Sequence, residues 1–459
     1  MRRNVPSFAC ACLSFFLLVS VSLGAERLEV AERTLGNGLK VLVMEDHSAP
    51  LVAVQVWIRV GARNDPSGMS GVAHLIEHMI FKGTGIMGSE EFSEIIQRYG
   101  GMENAGTGRD FTDYFAYVPS ARAEEAVRLW AEILLGAAFD PAEFISERDV
   151  VLEELRLGLN DPYEAVFDEV TATAYHAHPY GRPIIGWMSE VGSITRDQAY
   201  DHYRTFYVPN NMTLILVGDI IEDRALDLAQ RYFGELKRSP DPPQVRTVEP
   251  RQTGERRIEV KREALLPMFE AAWHIPEVSH PDFLKLQVLA QILAGGESSR
   301  LHRELVYEKQ IASSVSAWAY SLVDPGLFYV TCMVSPDHTA QEAEAALYEI
   351  IGSLQNEPVN DRELEKAVNQ YVSNFIFGQE SILRQAFVVG YYDALLSWEV
   401  VNDLALKVKS VSKEEILEVA GRYLTQDNRT VATLIPLRPE GPGRMVPGMG
   451  GNTPGGRRR

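Results

Sequence analysis

Apolar residues change their period several times along this chain. Two short apolar runs, residues 39–44 and 51–60, read as strands. The next apolar positions, Val72, Ala73, Leu75, Ile76 and Met79, fall at helical spacing and predict a helix over about 70–81. A further strand is predicted over 113–118, followed by helices over 121–135 and 141–159. Asp140 before Pro141 supplies a capping side chain and a proline suited to the first helical position.

The same order returns after residue 254. A strand over 268–273 precedes a helix over 282–294, then a strand pair over 313–319 and 326–334, then helices over 341–354 and 361–377. Setting Val118 against Val334 matches strand, turn and amphipathic helix in both copies. It places Glu147 over Glu363 and Glu154 over Gln370. An internal repeat of this kind predicts two related domains. The Pro-rich stretch that begins at Ser239 divides them and reads as an exposed, semi-stiff linker over 239–254. The expected domains are 26–238 and 255–437.

Both ends differ from this body. Arg2 and Arg3 precede an apolar run from Phe8 to Leu23, with small residues at Gly24 and Ala25. That is the pattern of a secretory signal over 1–25, predicting export without stable membrane insertion afterwards, to a periplasm in a Gram-negative cell. Residues 438–459, rich in Gly, Pro and Arg, predict a disordered tail. Cys10 and Cys12 leave with the signal. Cys332, alone within an apolar run, reads as a buried thiol rather than a disulfide partner. The formal net charge of −19 argues against nucleic acid or anionic lipid as a partner. With 46% hydrophobic and 23% charged residues, the chain has the composition of a globular protein rather than a disordered one.

The chemistry concentrates in His74-Leu75-Ile76-Glu77-His78. Residues four apart lie on one helical face, so two imidazoles can grip one zinc ion and Glu77 can take a proton from a water beside it. This is the inverted form of the common zinc-protease motif. Two surface histidines on a salt-bridged helix is the alternative, but the apolar neighbours bury this helix, and buried imidazoles need partners. A catalytic zinc takes a third protein ligand. Glu147, Glu153 and Glu154 are candidates on the next long helix. Glu147 and Glu154, seven apart, share a face, while Glu153 is turned away from it. Of that sharing pair, one carboxylate can bind metal while the other orients a histidine.

With these residues in place, the sequence resembles the pitrilysin/insulinase family of zinc metallopeptidases, in its compact two-domain branch that includes mitochondrial processing peptidases and bacterial relatives. The matching stretches include Gly71 to Thr84 around the motif, Gly100 to Ala105, His178 to Gly186, Tyr207 to Met212 and Gly295 to Leu301. The resemblance spans about residues 32–436. It implies an α+β fold of two homologous α/β sandwich domains, mostly antiparallel sheet packed by helices, forming a clamshell chamber. It implies one zinc ion per chain. Glu154, 76 residues after His78, becomes the third ligand, Glu147 its supporting carboxylate and Glu77 the catalytic base. Asn104 and Ala105 resemble the edge strand on which a peptide substrate pairs by main-chain hydrogen bonds.

Two departures from the family stand out. Gly106 replaces a bulky residue after Asn104-Ala105. More consequentially, Val306 and Ser313 occupy positions where active single-chain members carry an Arg and a Tyr that hold the substrate carbonyl. Neither replacement donates as those residues do. Arg303 and Tyr307 are near neighbours in sequence. The resemblance therefore implies an endopeptidase for unfolded peptides that a related subunit completes, in a homo- or heterodimer. A non-catalytic scaffold or peptide-binding subunit is the second reading. His176 and His178, in a loop, are expected to be structural.

Overall fold

The computed structural model describes residues 27–437, so the expected signal and tail lie outside the described residues. Eleven strands form two sheets among these residues. The first sheet uses β1 (Ala31–Thr34), β2 (Lys40–Glu45), β3 (Leu51–Ile58), β4 (Met102–Thr107), β5 (Thr112–Pro119) and β6 (Met212–Gly218), in the order β1-β2-β6-β3-β5-β4. The second uses β7 (Arg256–Glu263), β8 (Met268–His274), β9 (Ala312–Ala319), β10 (Leu327–Val334) and β11 (Arg429–Leu437), in the order β7-β11-β8-β10-β9. Every neighbouring pair is antiparallel except β2 with β6 and β7 with β11. The central strands are buried on both faces, which is why their sequences read as continuous apolar runs rather than alternating ones.

Helices α1 (Val72–Ile80), α2 (Glu91–Arg98), α3 (Ala123–Gly136), α4 (Pro141–Gly158), α5 (Pro162–Ala174), α6 (Met188–Val191), α7 (Arg196–Phe206) and α8 (Glu222–Phe233) belong to the first half of the chain. The second half carries α9 (Asp282–Ala294), α10 (Ala340–Asn356), α11 (Asp361–Phe377), α12 (Ile382–Leu395), α13 (Val400–Lys409) and α14 (Lys413–Tyr423), with a π-helical turn over His302–Glu308. From β3 to β6 and from β8 to β11 the element order is the same, with the π-helical turn in the place of α2. Asp140 caps α4 as its sequence predicts, its carboxylate accepting from the N–H groups of Ala142 and Glu143.

One helix of each half covers the other half's sheet. Val166 and Val170 of α5 share a core with Met268, Ala272, Tyr329 and Leu434 of the second sheet. Ile382, Ala386 and Val389 of α12 share a core with Leu42, Ala53, Trp57 and Val217 of the first. Beneath these exchanged helices the repeat sets a polar side chain on each central strand. Gln55 lies opposite Phe115, and Glu270 lies opposite Thr331, which the offset of 216 makes equivalent to Phe115. The halves are tied further by a buried polar group. Arg63 reaches Asp110 at 3.1 Å and Asp324 at 2.7 Å, and the Tyr180 hydroxyl donates to Asp110 at 2.5 Å.

The stretch over 239–254 forms neither helix nor strand, but it is not a free spacer. Glu249 accepts the backbone N–H groups of His176, Ala177 and His178 at 2.7, 2.8 and 2.9 Å. Gln252 is buried and donates to the Arg429 carbonyl at 2.8 Å. A boundary placed at 239–254 separates the strands of the two sheets but not their cores. The exchange of α5 and α12 escaped the sequence, because an amphipathic period tells which face is apolar and not which sheet it meets. Cys332 is fully buried, and burial pushes its thiol up to about 12.

Candidate metal and peptide site

Helix α1 has two faces of different character. Val72, Leu75, Ile76, Met79 and Ile80 enter the first core, leaving His74, Glu77 and His78 on the other side. Its start is fixed by Asp65, which accepts from the N–H groups of Gly71 at 2.7 Å and Ala73 at 3.1 Å. Gly71 has φ +87°, and a Cβ there would lie 2.3 Å from the Ile185 carbonyl oxygen, so the turn into the helix requires glycine. Burial raises the Asp65 carboxyl to about 8.

Helix α4 crosses α1 and brings in the carboxylates. Glu154 Oε2 lies 4.0 Å from His74 Nε2 and 3.7 Å from His78 Nε2, and one ligand atom from each of the three residues lies within 4.8 Å of the others. Both carboxylate–imidazole separations are no more than about twice a zinc–ligand bond of roughly 2.0–2.1 Å. Two turns earlier, Glu147 Oε2 meets His78 Nδ1 at 3.3 Å and its other oxygen meets Lys82 Nζ at 3.1 Å. Glu153 pairs with Arg156 at the surface and takes no part. Of the pair sharing a face, Glu154 therefore approaches both histidines and Glu147 stands behind one of them.

The charges are balanced by burial and close contacts. Burial, followed by repulsion from His78, lowers His74 to about 4, which keeps its imidazole neutral as a metal ligand must be. The His74 Nδ1 atom is buried without a hydrogen-bond partner among the described residues. Burial works against a charged His78, but the hydrogen bond to Glu147 and the charges of Glu154 and Glu77 outweigh it and raise the group. Burial also raises Glu77, helped by repulsion from Glu154 and opposed by a hydrogen bond from Thr107 at 2.6 Å. Glu147 moves the other way. Burial alone would raise it, yet the contacts with His78 and Lys82 hold it below the usual carboxylate range.

Strand β4 runs beside this group as one of the two edge strands of the first sheet. Thr107 faces Glu77, so Ala105 and Glu103 share its side at alternate positions. The outward N–H of Ala105 is held at 2.9 Å by the side-chain oxygen of Asn104, which is exposed. A peptide adding to this edge would displace that side chain. Glu77, His78, Phe81, Lys82, Glu103 and Asn104 line a cleft of about 300 Å³ at the same place.

Thr107, Lys82 and Asp113 were not singled out from the sequence. Lys82 follows His74 and His78 at four-residue spacing, and Thr107 keeps the strand's period of two, so both signals were present. Asp113 had none. It is buried on β5, and burial with the charge of Glu77 raises it to about 7. Val306 packs into the second core, while Ser313 is exposed and donates to the Met333 carbonyl at 3.3 Å. Tyr307 is 78% exposed, and among the described residues the Arg303 side chain makes only a loose ion pair with Glu308 at 3.6 Å. His178 is buried against Asp324 at the contact between halves, a structural position.

Two histidines one turn apart, a carboxylate from a second helix and a half-buried glutamate beside them define a metallopeptidase-type site on a two-sheet α+β fold. Residues 40–187 match the family model described as insulinase (peptidase family M16), and residues 193–371 match that described as the peptidase M16 inactive domain. An uncharacterized zinc protease of Mycobacterium leprae is 30% identical over 357 residues, covering 76% of this chain and 79% of that protein. The zinc protease PqqE of Helicobacter pylori is 29% identical over 408 residues, covering 88% and 92%. A probable mitochondrial-processing peptidase subunit beta of Arabidopsis thaliana is 27% identical over 421 residues, covering 89% and 79%. The crystal structure of a protease from Helicobacter pylori superposes with a TM-score of 0.86 at 28% identity, over 90% of this chain and all of that one. The chain belongs to the insulinase family of peptidases.

Proposed function

We propose that this chain is the metal-holding subunit of an exported, zinc-dependent endopeptidase that cleaves unfolded peptides. The observation that carries this reading is the meeting of His74, His78 and Glu154, with ligand atoms within 4.8 Å of one another and Glu77 on the same helix. The donor set fits zinc: two imidazoles and one carboxylate, with Glu147 fixing the far nitrogen of His78. A zinc ion held by His74, His78 and Glu154 would supply Lewis acidity to the scissile carbonyl and lower the pKa of water.

The protein's own groups account for the rest. The β4 edge takes a peptide in extended form by main-chain hydrogen bonds, which selects unfolded segments and tolerates many side chains. Glu77, its basicity raised by burial and held toward the site by Thr107, accepts the proton of the attacking water and returns it to the leaving amine. Stabilising the developing oxyanion calls for donors on the opposite side, and neither Val306 nor Ser313 serves there. A related second chain carrying an Arg and a Tyr completes the site in this reading. The same gap is what favours the second reading, a peptide-binding subunit without turnover.

The test uses the chain alone and together with its candidate partner. The expected result is peptide cleavage only by the pair. Glu77→Gln should leave bound zinc unchanged while lowering turnover by about 10²–10⁴-fold. Cleavage by the unaided chain would remove the partner from the account, and turnover retained by the Gln variant would remove Glu77 as the base.

A further inference from the structure

A second cleft, of about 650 Å³, opens where the internal repeat places the second half's counterpart of the metal site. Its walls come from α9, α10, α11 and the π-helical turn, in the roles of α1, α3, α4 and α2. Glu363 takes the place of Glu147 and Gln370 that of Glu154. The acids here are already matched. Glu363 is gripped by Arg300 through two contacts at 2.6 and 2.9 Å, and Lys309 meets Glu304 at 2.9 Å and Glu349 at 3.4 Å.

What remains on the lining is cationic. Arg362 and Lys366 make no ion pair among the described residues, and Arg303 has only the loose contact with Glu308, both more than half exposed. Arg362 and Lys366 are four apart on α11, so they present their charges from one face toward Arg303 on the opposite wall. Lys366 also contacts the Ser298 hydroxyl. The neighbouring Ser299 is 4% exposed and its hydroxyl has no hydrogen-bond partner among the described residues. Ile292, Ile350 and Ala367 supply an apolar floor. On a chain of net charge −19, unmatched cations gathered around one concavity mark a place for an anionic ligand.

We propose that this cleft binds an acidic peptide segment, its carboxylates on Arg303, Arg362 and Lys366 and an apolar side chain on the floor. Guanidinium groups match carboxylates in a two-point geometry. The cations sit on separate walls, and an apolar surface lies between them, an arrangement suited to charges spaced along a peptide rather than to one compact inorganic ion. The inference does not depend on whether the first half hydrolyses anything.

The test is fluorescence anisotropy with a labelled, end-capped decapeptide of alternating glutamate and leucine, against its counterpart with glutamine for glutamate. The full chain carries Glu77→Gln so that neither peptide is consumed. The acidic peptide should bind at least about tenfold more tightly than the neutral one. The double reversal Arg362→Glu with Lys366→Glu should abolish that preference. Neutralising both with Gln, a milder change at exposed positions, should reduce it with an unchanged circular dichroism spectrum. Lys407→Glu, on α13 outside this cleft, should leave it within about twofold. Equal binding of the two peptides, or an unaltered preference in the reversed variant, would overturn the proposal. So would displacement of the labelled peptide by inorganic phosphate as effective as that by unlabelled peptide.

Discussion

Glu77, Glu147 and Glu270 are all carboxyl groups removed from water, and their neighbours send them in different directions. Glu147 is stabilised as an anion by Lys82 and His78, so it can hold the His78 ring in one orientation. Glu147→Gln is expected to weaken zinc binding by about 10–100-fold, measured by competition with a chelating dye, while thermal stability changes little. Glu270 has no such support. Thr331 donates to one oxygen at 3.1 Å, the other has no partner among the described residues, and burial raises the carboxyl from 4.5 to about 8. A raised folded-state pKa contributes stability that is full below pH 4.5 and is lost as pH rises toward and through about 8. Glu270→Gln removes that dependence, so its unfolding free energy relative to wild type, from urea titrations, should climb from pH 5 to pH 9, the gap amounting to about a few kcal/mol at the alkaline end. A flat difference across that range would mean that Glu270 is not buried as an acid. The motif residues were legible because a helix puts positions four apart on one face whatever surrounds it. Asp113 and the unpartnered oxygen of Glu270 were not, since burial depends on what packs above.

Beyond its apolar face, helix α12 meets the first sheet through one especially close contact and one charge cluster. A Cβ at Gly390 would sit 2.2 Å from the Trp57 indole nitrogen, so the helix can approach only with glycine there. Three residues on, the nearly fully buried Asp393 accepts from Lys40 at 2.9 Å, Arg59 at 2.8 Å and Thr213 at 2.9 Å. Asp393→Ala leaves two cations facing each other without their carboxylate and is expected to destabilise the protein by about 3–5 kcal/mol in urea titrations. A loss below about 1 kcal/mol would mean that Lys40 and Arg59 reach water instead. The sequence predicted α1, α3, α4, α9, α10 and α11 to within a few residues, because their apolar positions recur at helical spacing and α4, α10 and α11 begin at capping side chains. It did not single out α5 or α12.

Across the whole molecule the exchange makes each half incomplete. Residues 27–238 expressed alone would expose the apolar face of α5 and uncover the face of the first sheet that α12 protects, and residues 255–437 would suffer the reverse. Each half alone should aggregate, while co-expressed halves should co-purify as a soluble pair, read by size-exclusion chromatography with light scattering. A soluble, monomeric first half would show that α12 is dispensable to the first core. The amino-acid sequence by itself determined the inverted motif, the candidate carboxylates on α4, the repeat and the absence of an Arg and a Tyr at 306 and 313. The motif and the carboxylates are set by residue identity and spacing along a single element, the repeat by matching the two halves, and the significance of positions 306 and 313 by the family resemblance. Helix geometry left Glu147 and Glu154 equal, and only the resemblance preferred Glu154; tertiary structure decided which of them approaches both histidines, that the halves trade helices, and that Arg362 and Lys366 of the second cleft have no acidic partner among the described residues. Those outcomes depend on which surfaces meet across separations of tens to hundreds of residues, where local periodicity carries no information.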